Sequence, residues 1–391
     1  MQNPKVAKRM ELLSGESAFA VMEKADALAA KGRSVIHLEI GQPDFKTPQN
    51  IIDAAARALN EGKTGYTATR GIIPLRETIA QYCARQKGLD VHPDEVAVVP
   101  GGKPIMFFTM LMLLEPGDEV IYPDPGFPIY QSVIRFAGGK PVPMPLLEKN
   151  GFSVDVDALR ASINGRTKLI ILNSPSNPTG GVLPEKDIRA IAQMIAGKGI
   201  YVLSDEIYER LVFDGTKPFS MASLPEMRDH TIILDGFSKA YAMTGWRLGY
   251  GVMHKTLAEH MGMLMVNSNS CAASMTQWAG IEALNGPQDQ VDVMVAAFKE
   301  RRDFIVDALD RIEGVTCTLP GGAFYAFPNI SSFGLTSEEF ANRLLEEAGV
   351  ACASGTAFGA HGEGYIRLSC ANSLDNLKSA VERIANFVKT L

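Results

Sequence analysis

Cysteine is scarce in this chain, and what there is does not pair up. Cys83, Cys271, Cys317, Cys352 and Cys370 are an odd set of five with no Cys-x-x-Cys spacing. They read as reduced core thiols of a cytoplasmic protein, neither a disulfide framework nor metal ligands. The six histidines are scattered without a ligand pattern, so no metal site is expected. Long apolar runs are also missing. The longest, Ile105 to Leu114, is too short for a bilayer and fits a buried helix. Met1 to Lys5 lead into a mixed polar helix, with no signal-peptide core. No block of like charge reads as an interaction tail. A net charge of -6 leaves no basic footprint for nucleic acid or an anionic membrane. What remains is the composition of a soluble globular protein.

The chain of 391 residues, 46% hydrophobic and 21% charged, is long enough for two or three domains. A helical pattern runs from Phe19 to Ala29, and a strand follows over Val35–Ile40. Thr47 and Pro48 read as the N-cap and first residue of a helix that Gly62 stops. Strands and helices then alternate over residues 90–285, which predicts an α/β sheet with helices on both faces. A long helix starts at Pro287. Beyond residue 315 the rhythm changes to a strand at 323–327, a Thr336-x-x-Glu339 capping box, two short strands of which the last is 365–369, and a final amphipathic helix.

The most informative stretch runs from Asp235 to Tyr250, Asp-Gly-Phe-Ser-Lys-Ala-Tyr-Ala-Met-Thr-Gly-Trp-Arg-Leu-Gly-Tyr. It places Lys239 just beyond a buried strand and Arg247 eight residues later. A poorly solvated lysine loses proton affinity and becomes nucleophilic. An arginine fork grips a phosphate with two hydrogen bonds. Either residue alone fits a surface lysine or an ion-pair partner equally well. Together they describe a pyridoxal 5'-phosphate (PLP) site.

Other polar groups sit at predicted strand ends, where open α/β sheets bind ligands. Gly41 ends a strand in Gly41-Gln42-Pro43-Asp44-Phe45. Gly101, Gly102 and Lys103 stand between the strand Val96–Val99 and a helix, a turn that aims free N–H groups at a phosphate. Phe127 follows another strand and is placed to stack on a flat heterocycle, or simply to fill the core. Asn177 lies in Asn177-Pro178-Thr179-Gly180. Asp205 ends a buried strand, where a carboxylate needs a partner, and Tyr208 is three residues on. Arg367 lies in the apolar strand Tyr365–Ser369 and needs an anion, from a structural salt bridge or a substrate.

The Ser238-Lys239 pair, Met243 to Gly249, the Asn-Pro-Thr-Gly turn, Asp205 with Tyr208, and Ile366-Arg367-Leu368-Ser369 occur in an order that resembles the class I/II, fold-type I PLP-dependent aminotransferases. The resemblance spans nearly the whole chain. It implies a large domain with a mostly parallel seven-stranded sheet between helices, and a small α+β domain built from the two chain ends. The expected bounds are residues 1–46 for an N-terminal segment of the small domain, 47–286 for the PLP-binding domain, and 287–391 for the rest. By the same resemblance Lys239 forms the internal Schiff base. Gly101, Gly102, Lys103, Ser238 and Arg247 belong to the phosphate end. Phe127 stacks on the pyridine ring, Asp205 pairs with its nitrogen, and Tyr208 and Asn177 bond its ring oxygen. Arg367 clamps the substrate carboxylate beside Gly41, Phe127 and Asn177. Tyr66 is donated across a homodimer interface to the partner's cofactor.

The implied reaction is ping-pong transamination between an L-amino acid and a 2-oxo acid through pyridoxamine phosphate. The same residues serve a carbon–sulfur β-lyase, the alternative, and less readily a non-catalytic ligand sensor. Substrate choice is open at this level. The 14–18 loop belongs to the distal pocket, and an inward Glu16 there disfavours a second substrate carboxylate.

Overall fold

The computed structural model describes residues 5–391; the N-terminal reading at residues 1–4 lies outside them. A short strand β1 (Ile36–His37) precedes seven strands of one sheet. These are β2 (Val96–Val99), β3 (Glu119–Asp124), β4 (Lys140–Pro145), β5 (Thr167–Asn173), β6 (Tyr201–Asp205), β7 (Thr231–Gly236) and β8 (Gly249–Val252). Their spatial order is β2-β8-β7-β6-β5-β3-β4. From β7 to β4 every pairing is parallel, whereas β8 runs antiparallel to both its neighbours. The expected mostly parallel seven-stranded sheet is therefore present.

The strand sequences explain why helices cover both faces. In β2 the side chains alternate, Val96 and Val98 entering one core with Ile79, Phe237 and Ala279. Ala97 and Val99 enter another with Met106, Ile134 and Met261. All four residues are buried, as a strand sandwiched between helices requires. At the other end of the sheet, Ile121, Ile170 and Val202 pack on Ile188 and Ile191 of the helix Glu185–Ile195. Each such aliphatic side chain stabilises the fold by about 1.5–3 kcal/mol on full burial.

The chain ends meet beside this sheet. Strand β9 (Tyr325–Ala326) pairs with β12 (Ile366–Ser369), and β12 also pairs with β11 (Ala353–Ser354). β1 pairs in parallel with β10 (Val350–Ala351), so residues 36–37 and 350–351 share one ribbon. The Thr336–Glu339 capping box is formed.

Three local expectations change. The strands predicted over 35–40 and 323–327 shorten to β1 and β9, each two residues long. Strand β4 carries Pro141, Pro143 and Pro145 and was not expected; it lies at the sheet edge, where missing N–H groups face no partner. Thr47 does not cap the helix Gln49–Asn60, whose N-cap is Pro48. Its hydroxyl instead donates to the Ala242 carbonyl at 2.7 Å and accepts from Trp246 Nε1 at 2.9 Å, bracing the segment that follows Lys239.

Candidate active site

The C-terminal ends of β2, β3, β5, β6 and β7 lie along one edge of the sheet. Because β8 is antiparallel, its first residue Gly249 stands beside Val99 and Gly236 at that same edge. This reversal brings Arg247, just before β8, back to the strand ends that carry Lys239 and Asp205. A cavity of about 570 Å³ opens there. Its walls include Gly41, Gly102, Lys103, Phe127, Asn177, Asp205, Tyr208, Ser238, Lys239, Arg247 and Arg367. Two expected site residues do not line it. Gly101 lies just behind, and Tyr66 is 91% exposed on the outer surface.

Lys239 Nζ donates to the Gly41 carbonyl at 2.5 Å. Desolvation, with the nearby Arg367 charge acting in the same direction, lowers this amine to about 8. The backbone that presents it departs from ordinary geometry, with Ala242 and Arg247 at φ values of 50° and 54°. Non-glycine residues hold this conformation at a cost that recurs at functional sites. Arg247 Nη1 donates to the Thr244 carbonyl at 2.8 Å, and its guanidinium packs on Gly101. Gly101 has φ 78°, and a Cβ there would overlap that guanidinium.

Asp205 is buried, and among the described residues no cation pairs with it. Tyr130 donates its hydroxyl to Asp205 Oδ2 at 2.6 Å, and the Ile207 N–H donates to Oδ1 at 3.3 Å. Burial outweighs both bonds and pushes the carboxyl up to about 6. Asn173, next to Asp205 across the sheet, donates its amide to the Asp205 carbonyl at 3.1 Å. Its Oδ1 accepts the Asn177 N–H at 2.9 Å, which fixes the Asn177 turn to the sheet. Tyr208 and Tyr325 share a hydroxyl contact of 2.7 Å. Burial raises the Tyr208 hydroxyl well above the usual phenol range.

Arg367 comes from β12 and is buried. It donates Nη1 to Asn177 Oδ1 at 3.1 Å and Nη2 to the Glu39 carbonyl, and lies 4.5 Å over the Tyr325 ring. Its Nε has no hydrogen-bond partner among the described residues. Lys103 enters the cavity, but its ammonium pairs with Glu16.

Sequence reasoning missed Tyr130, Asn173 and Tyr325. Asn173 had a legible signal, since it follows the apolar run Leu169–Leu172 and stands four residues before Asn177. Tyr130 and Tyr325 had none, because their contacts join segments about 75 and 117 residues apart.

The sequence model of the family Aminotransferase class I and II matches residues 33–384. An aspartate aminotransferase of Geobacillus stearothermophilus is 44% identical, the match covering 98% of this chain and 99% of the relative. The solved structure of Thermus thermophilus aspartate aminotransferase with maleate superposes with a TM-score of 0.94, at 38% identity over 98% of this chain and 99% of that one. An aromatic aminotransferase from Pyrococcus horikoshii superposes with a TM-score of 0.91, at 37% identity over 98% of each chain. Fold, length and sequence agree, and this chain belongs to the class I and II aminotransferases, enzymes that move an amino group between an amino acid and a 2-oxo acid.

Proposed function

We propose that the cavity holds pyridoxal 5'-phosphate and that its side chains carry transamination from an L-amino acid to a 2-oxo acid. The donor set fits that cofactor. Asp205 is a buried acid in want of a cation, Gly101 leaves room for a guanidinium at the phosphate end, and Arg367 keeps an unused buried N–H. Convergence of a lowered amine, a raised carboxyl and a buried guanidinium on one cavity carries the reading.

When bound, the cofactor supplies an aldehyde carbon for amine exchange and a ring that accepts an electron pair. The chain does the rest. Arg247, Ser238 and the N–H groups after Gly101 and Gly102 hold the phosphate, and Phe127 packs on the ring face. The Asp205 carboxylate keeps a proton on the ring nitrogen, and its own affinity for that cation grows with burial. Tyr208 and Asn177 hydrogen-bond the ring oxygen. Arg367 binds the substrate carboxylate, with Gly41 and Asn177 beside it. Lys239 Nζ, whose proton affinity burial and the Arg367 charge lower, would be the base that takes the proton from the substrate α-carbon.

The proposal includes a homodimer in which Tyr66 reaches the phosphate of a second copy; its 91% exposure outside the cavity supports that role. It also includes a large unit over 47–286 and a small one from 1–46 with 287–391, supported by the pairing of β1 with β10. Four buried thiols and one half-buried, all unpaired, suit a cytoplasmic setting.

Single-turnover product analysis tests the chemistry. Loaded enzyme given an L-amino acid without acceptor should release one equivalent of 2-oxo acid per site and no ammonia. Repeated turnovers that liberate ammonia would instead establish elimination, the lyase reading.

A further inference from the structure

Among the described residues, four cationic side chains face the cavity: Lys103, Lys239, Arg247 and Arg367. The proposed transamination employs three of them, and the inference below rests on that reading. Lys103 is the remainder. It is the first residue of the helix Lys103–Leu113, and its side chain is 51% exposed. Its ammonium lies 5.7 Å from the centre of the Phe127 ring, so it stands beside the cofactor place.

Glu16 meets it there. Glu16 holds the N-cap position of the helix Ser17–Ala29, yet its side chain makes no capping bond. Aspartate, asparagine, serine or threonine would cap that helix; a glutamate there forgoes the stabilisation. The carboxylate reaches into the cavity and binds Lys103 Nζ, while remaining only 19% exposed. Among the described residues, Glu16 and Asp205 are the acids of the cavity lining, and Glu16 influences both Lys239 and Tyr325 electrostatically. Among the described residues, this segment also contributes Ser17, Ala18 and Phe19 to the cavity lining.

We infer that Glu16 selects the substrate side chain: by occupying Lys103 from within the protein, it takes the place of a second substrate carboxylate and favours amino acids with uncharged side chains. A free Lys103 would attract the distal carboxylate of aspartate or glutamate. With Glu16 seated, an entering dicarboxylate either displaces Glu16 from its partner or lies beside a like charge, and either discriminates against it. An uncharged side chain meets a neutral ion pair beside the Phe127 ring. The names of several relatives point to aspartate, whereas this pair points away from it.

Kinetics of the loaded enzyme with L-aspartate and L-alanine test the inference. Replacing Glu16 by glutamine keeps size and removes charge. Glu16→Gln should raise the ratio of kcat/KM for aspartate over alanine by about 10-fold or more. Adding Lys103→Met to Glu16→Gln should abolish that gain, because the freed ammonium produces it. An unchanged ratio, or a fall in it, would overturn the role of Glu16 while leaving transamination intact. If neither amino acid alters the cofactor absorbance in either protein, the reading of the cavity fails and the inference with it.

Discussion

At Asp205 the protein keeps a carboxyl where water would serve it better. Two hydrogen bonds, from Tyr130 and from the Ile207 N–H, do not offset the burial. Its folded value of about 6 exceeds the ordinary 3.8, so the native state binds the proton more tightly than the unfolded chain. Stability of the cofactor-free protein therefore falls as pH rises from about 4 to 6, by about 3 kcal/mol from this group, and the loss is complete above that window. Asp205→Asn should make the cofactor-free protein more stable at pH 7.5, by about 1–3 kcal/mol in urea melts, with the difference gone near pH 4. PLP should reverse the ranking, since only the carboxylate gains a cationic partner. An Asn variant that is less stable at every pH would mean the carboxylate has a structural role. Lys239→Ala should lower turnover by at least about 1,000-fold in steady-state assays, with the fold unaltered by circular dichroism. Gly101→Ala forces a Cβ into the Arg247 guanidinium at a left-handed φ, and should weaken PLP binding by about 10-fold or more in equilibrium titration.

Elements place these residues through two devices. The antiparallel β8 returns Arg247 to the edge where the parallel strands end. Behind that edge, the last residue of the helix Ile73–Lys87 sends an ammonium to Glu206, Glu209 and Asp235, which sit beyond β6 and at the end of β7. Burial alone would lower the Lys87 pKa; Glu206 and Asp235 more than offset it, and the amine is raised. Lys87→Met leaves three acids without their cation and should cost about 3–5 kcal/mol in denaturant unfolding. Near-wild-type stability would show the acids find other partners.

Much of this scale was legible in sequence. Apolar runs marked β2, β5, β6 and β7, and the chemistry-bearing residues followed them directly. Strand β4 was not legible, because three prolines suppress the strand signal unless the edge position is known. Thr47 looked like a cap, because capping and bracing a distant loop use the same hydroxyl. The lengths of β1 and β9 depend on partners far along the chain, so local pattern overstated them. The meeting of Glu16 with Lys103, 87 residues later, required the fold.

On the scale of the whole molecule, Tyr66 stands away from the cavity of its own chain. A shared-site dimer makes a prediction that no monomer shares. Tyr66→Phe and Lys239→Ala chains, each weakly active alone, should regain up to about half the wild-type activity when their subunits are exchanged. One hybrid site then combines an intact Lys239 with a Tyr66 from the other chain. No recovery, with hybrids verified by mass spectrometry, would remove Tyr66 from the site.

The central claim is that PLP sits on Lys239 and cycles between amino donor and oxo-acid acceptor. The most direct measurement is the absorbance spectrum of the PLP-loaded protein, titrated first with L-amino acids and then with a 2-oxo acid. The expected result is loss of the visible cofactor band with a donor and its full return with an acceptor, both absent in Lys239→Ala. A protein that shows no such band even with added PLP, or whose band no amino acid changes, would contradict it.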